Sequence, residues 1–351
     1  MRLYNLLSIT LLMIVVASCG GNSKADKDLF SIEINSGKNI YSNSDTILVS
    51  LKNIKNIIVE SVIYTLNDAE VGTSSTINEV SIPLSNQKLG KRTLLATISA
   101  DGDTHTSTKE ITIISSVKPK LYTYSILESY PHDIDAYTQG LEFFNDTLYE
   151  STGQYKSSSL RKTNYKTGEI YKNIPLPNQY FGEGITILNN KIYQLTWKEN
   201  TGFIYDLESM EKKGTFVYGK SVEGWGLCNN GTSIFKSDGT EKIWTLHPET
   251  LAEESAIEIY TNTSKIKSVN ELEWVDGKIY ANIYERDAIA IVDSKSGAVE
   301  GVINLKGLKD KVTQHKSLNV LNGIAYKGEP NIIYVTGKHW DRLFKLEIKE
   351  K

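Results

Sequence analysis

A three-residue word recurs five times in the last two-thirds of the chain, and its spacing limits the fold more than any other feature. The copies are Gln139-Gly140-Leu141, Glu183-Gly184-Ile185, Trp225-Gly226-Leu227, Asn270-Glu271-Leu272 and Asn322-Gly323-Ile324. They lie 44, 42, 45 and 52 residues apart, a period that belongs to repeated supersecondary units set around a ring. Each copy leads into a second β-type run: Leu148-Tyr149-Glu150, Ile192-Tyr193-Gln194, Ile234-Phe235-Lys236, Ile279-Tyr280-Ala281 and Ile333-Tyr334-Val335. Turn residues such as Asn189-Asn190 and Asp276-Gly277 separate the two runs. A third run and a turn such as Lys166-Thr167-Gly168 or Lys295-Ser296-Gly297 follow. Four short strands per unit of about 40 residues describe a β-propeller blade. The expected architecture is all-β, with a five-bladed β-propeller over 121–349.

In a propeller the innermost strands line the axis, so one repeat position taken from every blade forms a ring. That ring is Gln139, Glu183, Trp225, Asn270 and Asn322, and an offset position after the second strands adds Gly153, Trp197, Gly239, Tyr284 and Lys338. Repeats that only packed would carry similar residues at equivalent places. An acid, amides, a lysine and aromatics instead suit one asymmetric pocket on the axis. An early strand from Leu121 to Leu127 is expected to complete the last blade and leave no open edge.

The N-terminus reads as a targeting segment. Arg2 precedes an apolar run from Leu6 to Val16, and Val16-Ala17-Ser18-Cys19 resembles a bacterial lipobox. Residues 1–18 are expected to be a lipoprotein signal peptide, Cys19 the lipidated residue and 19–28 a polar tether. The expected address is a bacterial membrane surface, periplasmic or external, reached through the lipid anchor only. Cys228 is the only other cysteine; with Cys19 lipidated it has no disulfide partner and reads as a buried small hydrophobe. Net charge is −3, which argues against a nucleic-acid partner. The locally basic stretch Lys306–Lys316 contains Asp310 and reads as a solvated loop with a helical turn. Residues 29–117 hold six or seven short β-type runs, such as Ile47-Leu48-Val49 and Ile111-Thr112-Ile113. They suggest an immunoglobulin-like β-sandwich without a Cys-Trp-Cys framework.

Several words resemble one family in order from about 122 to 348. They include Tyr130-Pro131-His132-Asp133, Tyr137-Thr138-Gln139-Gly140-Leu141, Phe181-Gly182-Glu183-Gly184, Gly224-Trp225-Gly226-Leu227 and Val335-Thr336-Gly337-Lys338. The family is the glutaminyl-peptide cyclotransferases of plant and bacterial type. The resemblance implies a five-bladed propeller that converts the N-terminal glutamine of peptides and proteins to pyroglutamate, releasing ammonia. It implies Glu183 as general acid/base, Lys338 and Asn270 beside it in catalysis, and Gln139 among the polar pocket residues. Tyr137, Phe181, Trp197, Trp225, Tyr284 and Asn322 complete the expected substrate site. Tyr284 stands where the family usually has tryptophan, and Tyr137 where phenylalanine is usual.

The chemistry follows from those residue types. The nucleophile, an α-amine, arrives with the substrate and attacks the substrate's own carboxamide. One carboxylate can take the amine proton and return it to departing ammonia, and an amide or ammonium can stabilise the oxyanion. The five histidines, His105, His132, His247, His315 and His339, show no metal-ligand spacing. No cofactor is required, although a structural divalent cation held by backbone carbonyls on the propeller axis is compatible with the pattern. Two other readings stay open at this level: a propeller that binds a peptide or glycan without turnover, and a scaffold for protein partners.

Overall fold

A computed structural model describes residues 29–351. The signal-peptide and tether expectations (1–18, 19–28) and Cys19 lie outside the described residues. These residues are all-β apart from one 3-10 turn at Lys309–Lys311, inside the stretch read as a loop with a helical turn. The chain divides into two compact units. One takes residues 29–37, 48–82 and 93–109; the other takes 38–47, 83–92 and 110–351.

The early strands are β1 (Phe30–Ile34), β2 (Ile40–Ser42), β3 (Thr46–Asn53), β4 (Val59–Leu66), β5 (Ala69–Ser74), β6 (Val80–Pro83), β7 (Gly90–Ala100) and β8 (Asp103–Ile114). They pair as a three-stranded sheet, β1-β3-β6, and a five-stranded sheet, β2-β8-β7-β4-β5. Alternate residues of β7, namely Leu94, Ala96, Ile98 and Ala100, are fully buried, as a strand with one face in a core requires.

After β9 (Lys120–Pro131) the strands run as antiparallel meanders of four. The first holds β10 (Thr138–Phe144), β11 (Thr147–Thr152), β12 (Ser159–Thr163) and β13 (Ile170–Pro175). The second holds β14 (Gly182–Leu188), β15 (Lys191–Thr196), β16 (Gly202–Asp206) and β17 (Lys212–Phe216). The third holds β18 (Leu227–Asn229), β19 (Ile234–Ser237), β20 (Lys242–Leu246) and β21 (Glu253–Glu258). The fourth holds β22 (Val269–Val275), β23 (Lys278–Ile283), β24 (Ala288–Val292) and β25 (Val299–Asn304). The last three strands are β26 (Leu321–Ala325), β27 (Ile332–Gly337) and β28 (Arg342–Glu350). Here β9 pairs antiparallel with β28 along its length, in the outer place where a strand starting at Leu121 is expected. Its first residues also pair in parallel with β25, which joins the fourth and last meanders into one eight-stranded sheet.

Apolar side chains fill the spaces between successive meanders. Tyr149, Leu160, Ile185 and Phe203 join the first to the second, and Leu141, Leu148, Ala325 and Tyr334 join the first to the last. Cys228 lies buried among Phe235, Leu272 and Ile279, as a small hydrophobe.

Candidate active site

The first strands of four meanders lose register with their partners at the same place. The breaks fall between Thr138 and Gly140, Gly182 and Ile185, Val269 and Leu272, and Leu321 and Ile324. A bulge releases its residue from the ladder and re-aims the side chain; here the released residues include Gln139, Glu183, Asn270 and Asn322. Trp225 lies two residues before β18. Opposite them, Gly153, Trp197, Tyr284 and Lys338 each come directly after a second strand. Their N–H groups donate to the carbonyls of Tyr137, Phe181, Ser268 and Val320 at 2.8–3.0 Å. The same turn is therefore built four times, with different side chains each time.

These ends enclose a cavity of about 170 Å³ lined by Tyr137, Gln139, Gln154, Phe181, Glu183, Trp197, Trp225, Asn270, Tyr284 and Lys338. Nine of the residues anticipated from the sequence thus meet in one place. Asn322 does not line the cavity; it is fully buried beside Gln139. A larger cavity of about 500 Å³, bordered by Tyr122, Lys278, Tyr280 and Glu300 among others, contains none of the anticipated residues.

A chain of amides orients the acid. Asn322 Nδ2 donates to Gln139 Oε1 at 3.1 Å, and Gln139 Nε2 donates to Glu183 Oε1 at 2.8 Å. Glu183 Oε2 and Asn270 Oδ1 are buried and accept no hydrogen bond from the described residues. Buried acceptors are normally paired, so these two atoms are the natural contacts for a donor that arrives from outside. Burial holds the Glu183 carboxyl well above the usual carboxylate range; Lys338 opposes this, while Glu223 and Glu199 add to it. Burial also pushes the Lys338 ammonium down to about 8, against the pull of Glu183. Its Nζ lies 4.7 Å from the centre of the Tyr137 ring and 5.3 Å from that of Tyr284. Phe181 and Trp197 pack at 5.5 Å between ring centres, and Trp225 meets Tyr284 edge-on at 5.6 Å.

Two residues of this environment went unread in the sequence. Gln154 follows Gly153 with φ 88°, a backbone conformation uncommon outside glycine that no pattern announces. Glu223 stands two residues before Trp225, a repeat position held elsewhere by Tyr137, Phe181, Ser268 and Val320. Extending the repeat alignment by two residues would have singled it out.

The fold and pocket define a class: an all-β, propeller-like protein whose buried acid, lysine and amides converge among aromatic walls where the strands end. The family model described as glutamine cyclotransferase matches residues 94–348. An Arabidopsis thaliana glutaminyl-peptide cyclotransferase is 37% identical over 228 residues, 64% of this chain and 71% of the relative. The crystal structure of Myxococcus xanthus glutaminyl cyclase is similar at 32% identity with a TM-score of 0.61, over 67% of this chain and all of that one. The chain belongs to the glutamine cyclotransferase family.

Proposed function

We propose that the chain cyclises the N-terminal glutamine of peptides and proteins by intramolecular acyl transfer, with Glu183 carrying the proton. The observation that carries this reading is the buried Glu183 carboxyl, held by Gln139 through one oxygen and open to a donor through the other. The substrate's α-amine nitrogen attacks its own side-chain carbonyl carbon, a C–N bond forms and the amine proton passes to Glu183. Lys338 supports the negative oxygen that develops on the carboxamide. Glu183 then returns the proton to the leaving nitrogen, the old C–N bond breaks and ammonia departs. A carboxyl with a raised proton affinity suits both transfers near neutral pH. Tyr137, Phe181, Trp197, Trp225 and Tyr284 hold the side chain folded back, and Asn270 Oδ1 accepts from the substrate amine or amide.

The finer architecture belongs to the same reading. The four complete meanders, with β26, β27, β28 and β9 as a fifth set, make a five-bladed propeller over 121–349; strand pairing and the apolar packing between neighbours support it. The two sheets of 29–117 make an immunoglobulin-like sandwich. The reaction needs no cofactor. A structural divalent ion on the axis, if bound, would be held by backbone carbonyls, since no cluster of three or more Asp, Glu, His or Cys side chains suited to a metal occurs among the described residues, and it would take no part in the chemistry. The Leu6–Val16 run and Cys19 support export and a lipid anchor.

The test is ammonia release from a Gln-initiated dipeptide by the parent and by Glu183→Gln. Loss of one acid/base group predicts a fall in kcat of about 10²–10⁴-fold. Equal rates would discard Glu183 as the catalyst, and an inactive, folded parent would discard the reaction. The same preparations read the address: the full chain in the membrane fraction, Cys19→Ser in the soluble one.

A further inference from the structure

Resting on the cyclase reading, we infer that Glu223 is a positioning residue of this site: one of its carboxylate oxygens holds both tryptophan walls. Glu223 Oε2 accepts the indole N–H of Trp197 at 2.7 Å and that of Trp225 at 2.8 Å. The two indoles come from neighbouring meanders and line the same cavity, so a single atom ties together two adjacent walls of the pocket. Lys198 completes the arrangement, its Nζ 3.8 Å from Glu223 Oε1 and 3.7 Å from the centre of the Trp197 ring. An indole has one N–H and no acceptor; an ionised carboxylate can accept from both at once, which a neutral side chain of similar length does less well.

The backbone that carries Glu223 is fixed from behind. Val222 beside it is exposed, so apolar packing does not hold this loop. Lys236 and Glu253 do: both side chains are fully buried and form an ion pair at 2.9 Å. Lys236 Nζ donates to Ser221 Oγ at 2.7 Å and to the carbonyl of Glu223 at 2.8 Å. Glu253 Oε2 accepts the N–H groups of Lys220 and Ser221 at 2.8 and 2.6 Å. Burying two charges costs several kcal/mol unless the geometry satisfies them. Here the satisfied geometry is the loop conformation that presents Glu223 to the indoles. The second effect is one of charge: the Glu223 carboxylate adds to the field that favours the protonated form of Glu183.

Glu223→Gln tests this, with dipeptide kinetics and the indole ¹H–¹⁵N resonances of the five tryptophans read on the same protein. A hydrogen bond to a charged group is strong enough for its loss to change an equilibrium about tenfold or more. KM is therefore expected to rise by that factor while kcat stays within about threefold. The Trp197 and Trp225 resonances move, those of Trp244, Trp274 and Trp340 stay, and the acid limb of the kcat/KM profile shifts to lower pH. Glu223→Asp keeps the charge with a shorter reach, so it restores the acid limb and leaves KM high. Trp197→Phe combined with Glu223→Gln costs KM no more than the larger single change. Unmoved indole resonances, an unchanged KM, or additive losses in the double variant would each overturn the inference. The resonances need no turnover, so a parent that releases no ammonia sinks the assigned reaction and leaves the clamp to be judged on its own.

Discussion

Lys338 is an unusual lysine because its ammonium is buried and has aromatic rings for neighbours. Burial brings its proton affinity down to about 8, so the cationic form is lost as pH rises through that value. If the cation supports the oxyanion, kcat falls on the alkaline side of about pH 8. In Lys338→Met that limb disappears, and kcat is about 10²-fold lower at pH 7, the usual cost of removing one such donor. A pH–rate profile of both proteins checks this; an unchanged alkaline limb in the variant would assign it to another group. The sequence pattern exposed Lys338 and Glu183 because each occupies a repeat position where its counterparts are chemically different. The same comparison did not reveal Lys236 or Glu253. A buried lysine on a strand looks like any alternating polar residue, and its partner stands 17 positions away with no periodic relation to it.

At the scale of strands, the site depends on how closely the first strands of neighbouring meanders approach. Gly184 N–H donates to Trp225 O at 2.6 Å. A Cβ at Gly184 would come within 2.6 Å of the Gly226 Cα, the Leu227 nitrogen and the Trp225 oxygen, all backbone atoms. Alanine there has to push two strands apart, unlike an overpacked side chain that can turn aside. Overpacking costs about 1–3 kcal/mol, which is about 2–12 °C in melting temperature for a unit of this size. Because Glu183 precedes and Trp225 faces this contact, Gly184→Ala should also lower kcat; thermal melting with dipeptide kinetics reads both. A melting point within about 1 °C of the parent would show that the strands have room. The five repeats, their turns and their strands were legible from hydrophobic alternation. The register breaks were not, because a bulge answers to the neighbouring strand and leaves no mark of its own in the pattern. Glu271 shows the limit. It occupies a place where four repeats have glycine, yet only the structure shows it reaching the N–H groups of Leu141 and Ile324 at 3.3 and 2.9 Å.

At the scale of the whole molecule, three carboxyls among the described residues cross between meanders in this way. Glu142 accepts the N–H of Ile187 at 3.1 Å and Glu273 that of Tyr326 at 2.7 Å, while Glu271 links the fourth meander to the last and to the first. Burial pushes Glu142 up to about 8 and holds Glu271 and Glu273 well above the carboxylate range, with mutual repulsion adding to the last two. A carboxyl whose proton affinity is higher folded than unfolded favours the fold fully below its unfolded value, near 4.3, and loses that contribution as pH rises through the folded value. Stability should therefore decline from pH 5 to pH 8. Groups shifted the other way do not cancel this. Asp293, lowered to about 2 by Ser296 and Lys278 despite its burial, has made its contribution in full by pH 5. Lys338 favours the fold only as pH climbs beyond about 8. Glu142→Gln keeps the shape and removes one titrating member of the trio. It should leave the melting temperature at pH 4 within about 1 °C of the parent and raise it by several degrees or more at pH 8, at roughly 2–4 °C per kcal/mol. Melting curves of the two proteins at these pH values decide the matter. Parallel declines would mean that Glu142 does not set the pH dependence and that His132, whose proton affinity Glu150 and the Trp340 carbonyl raise against its burial, is the group to replace next.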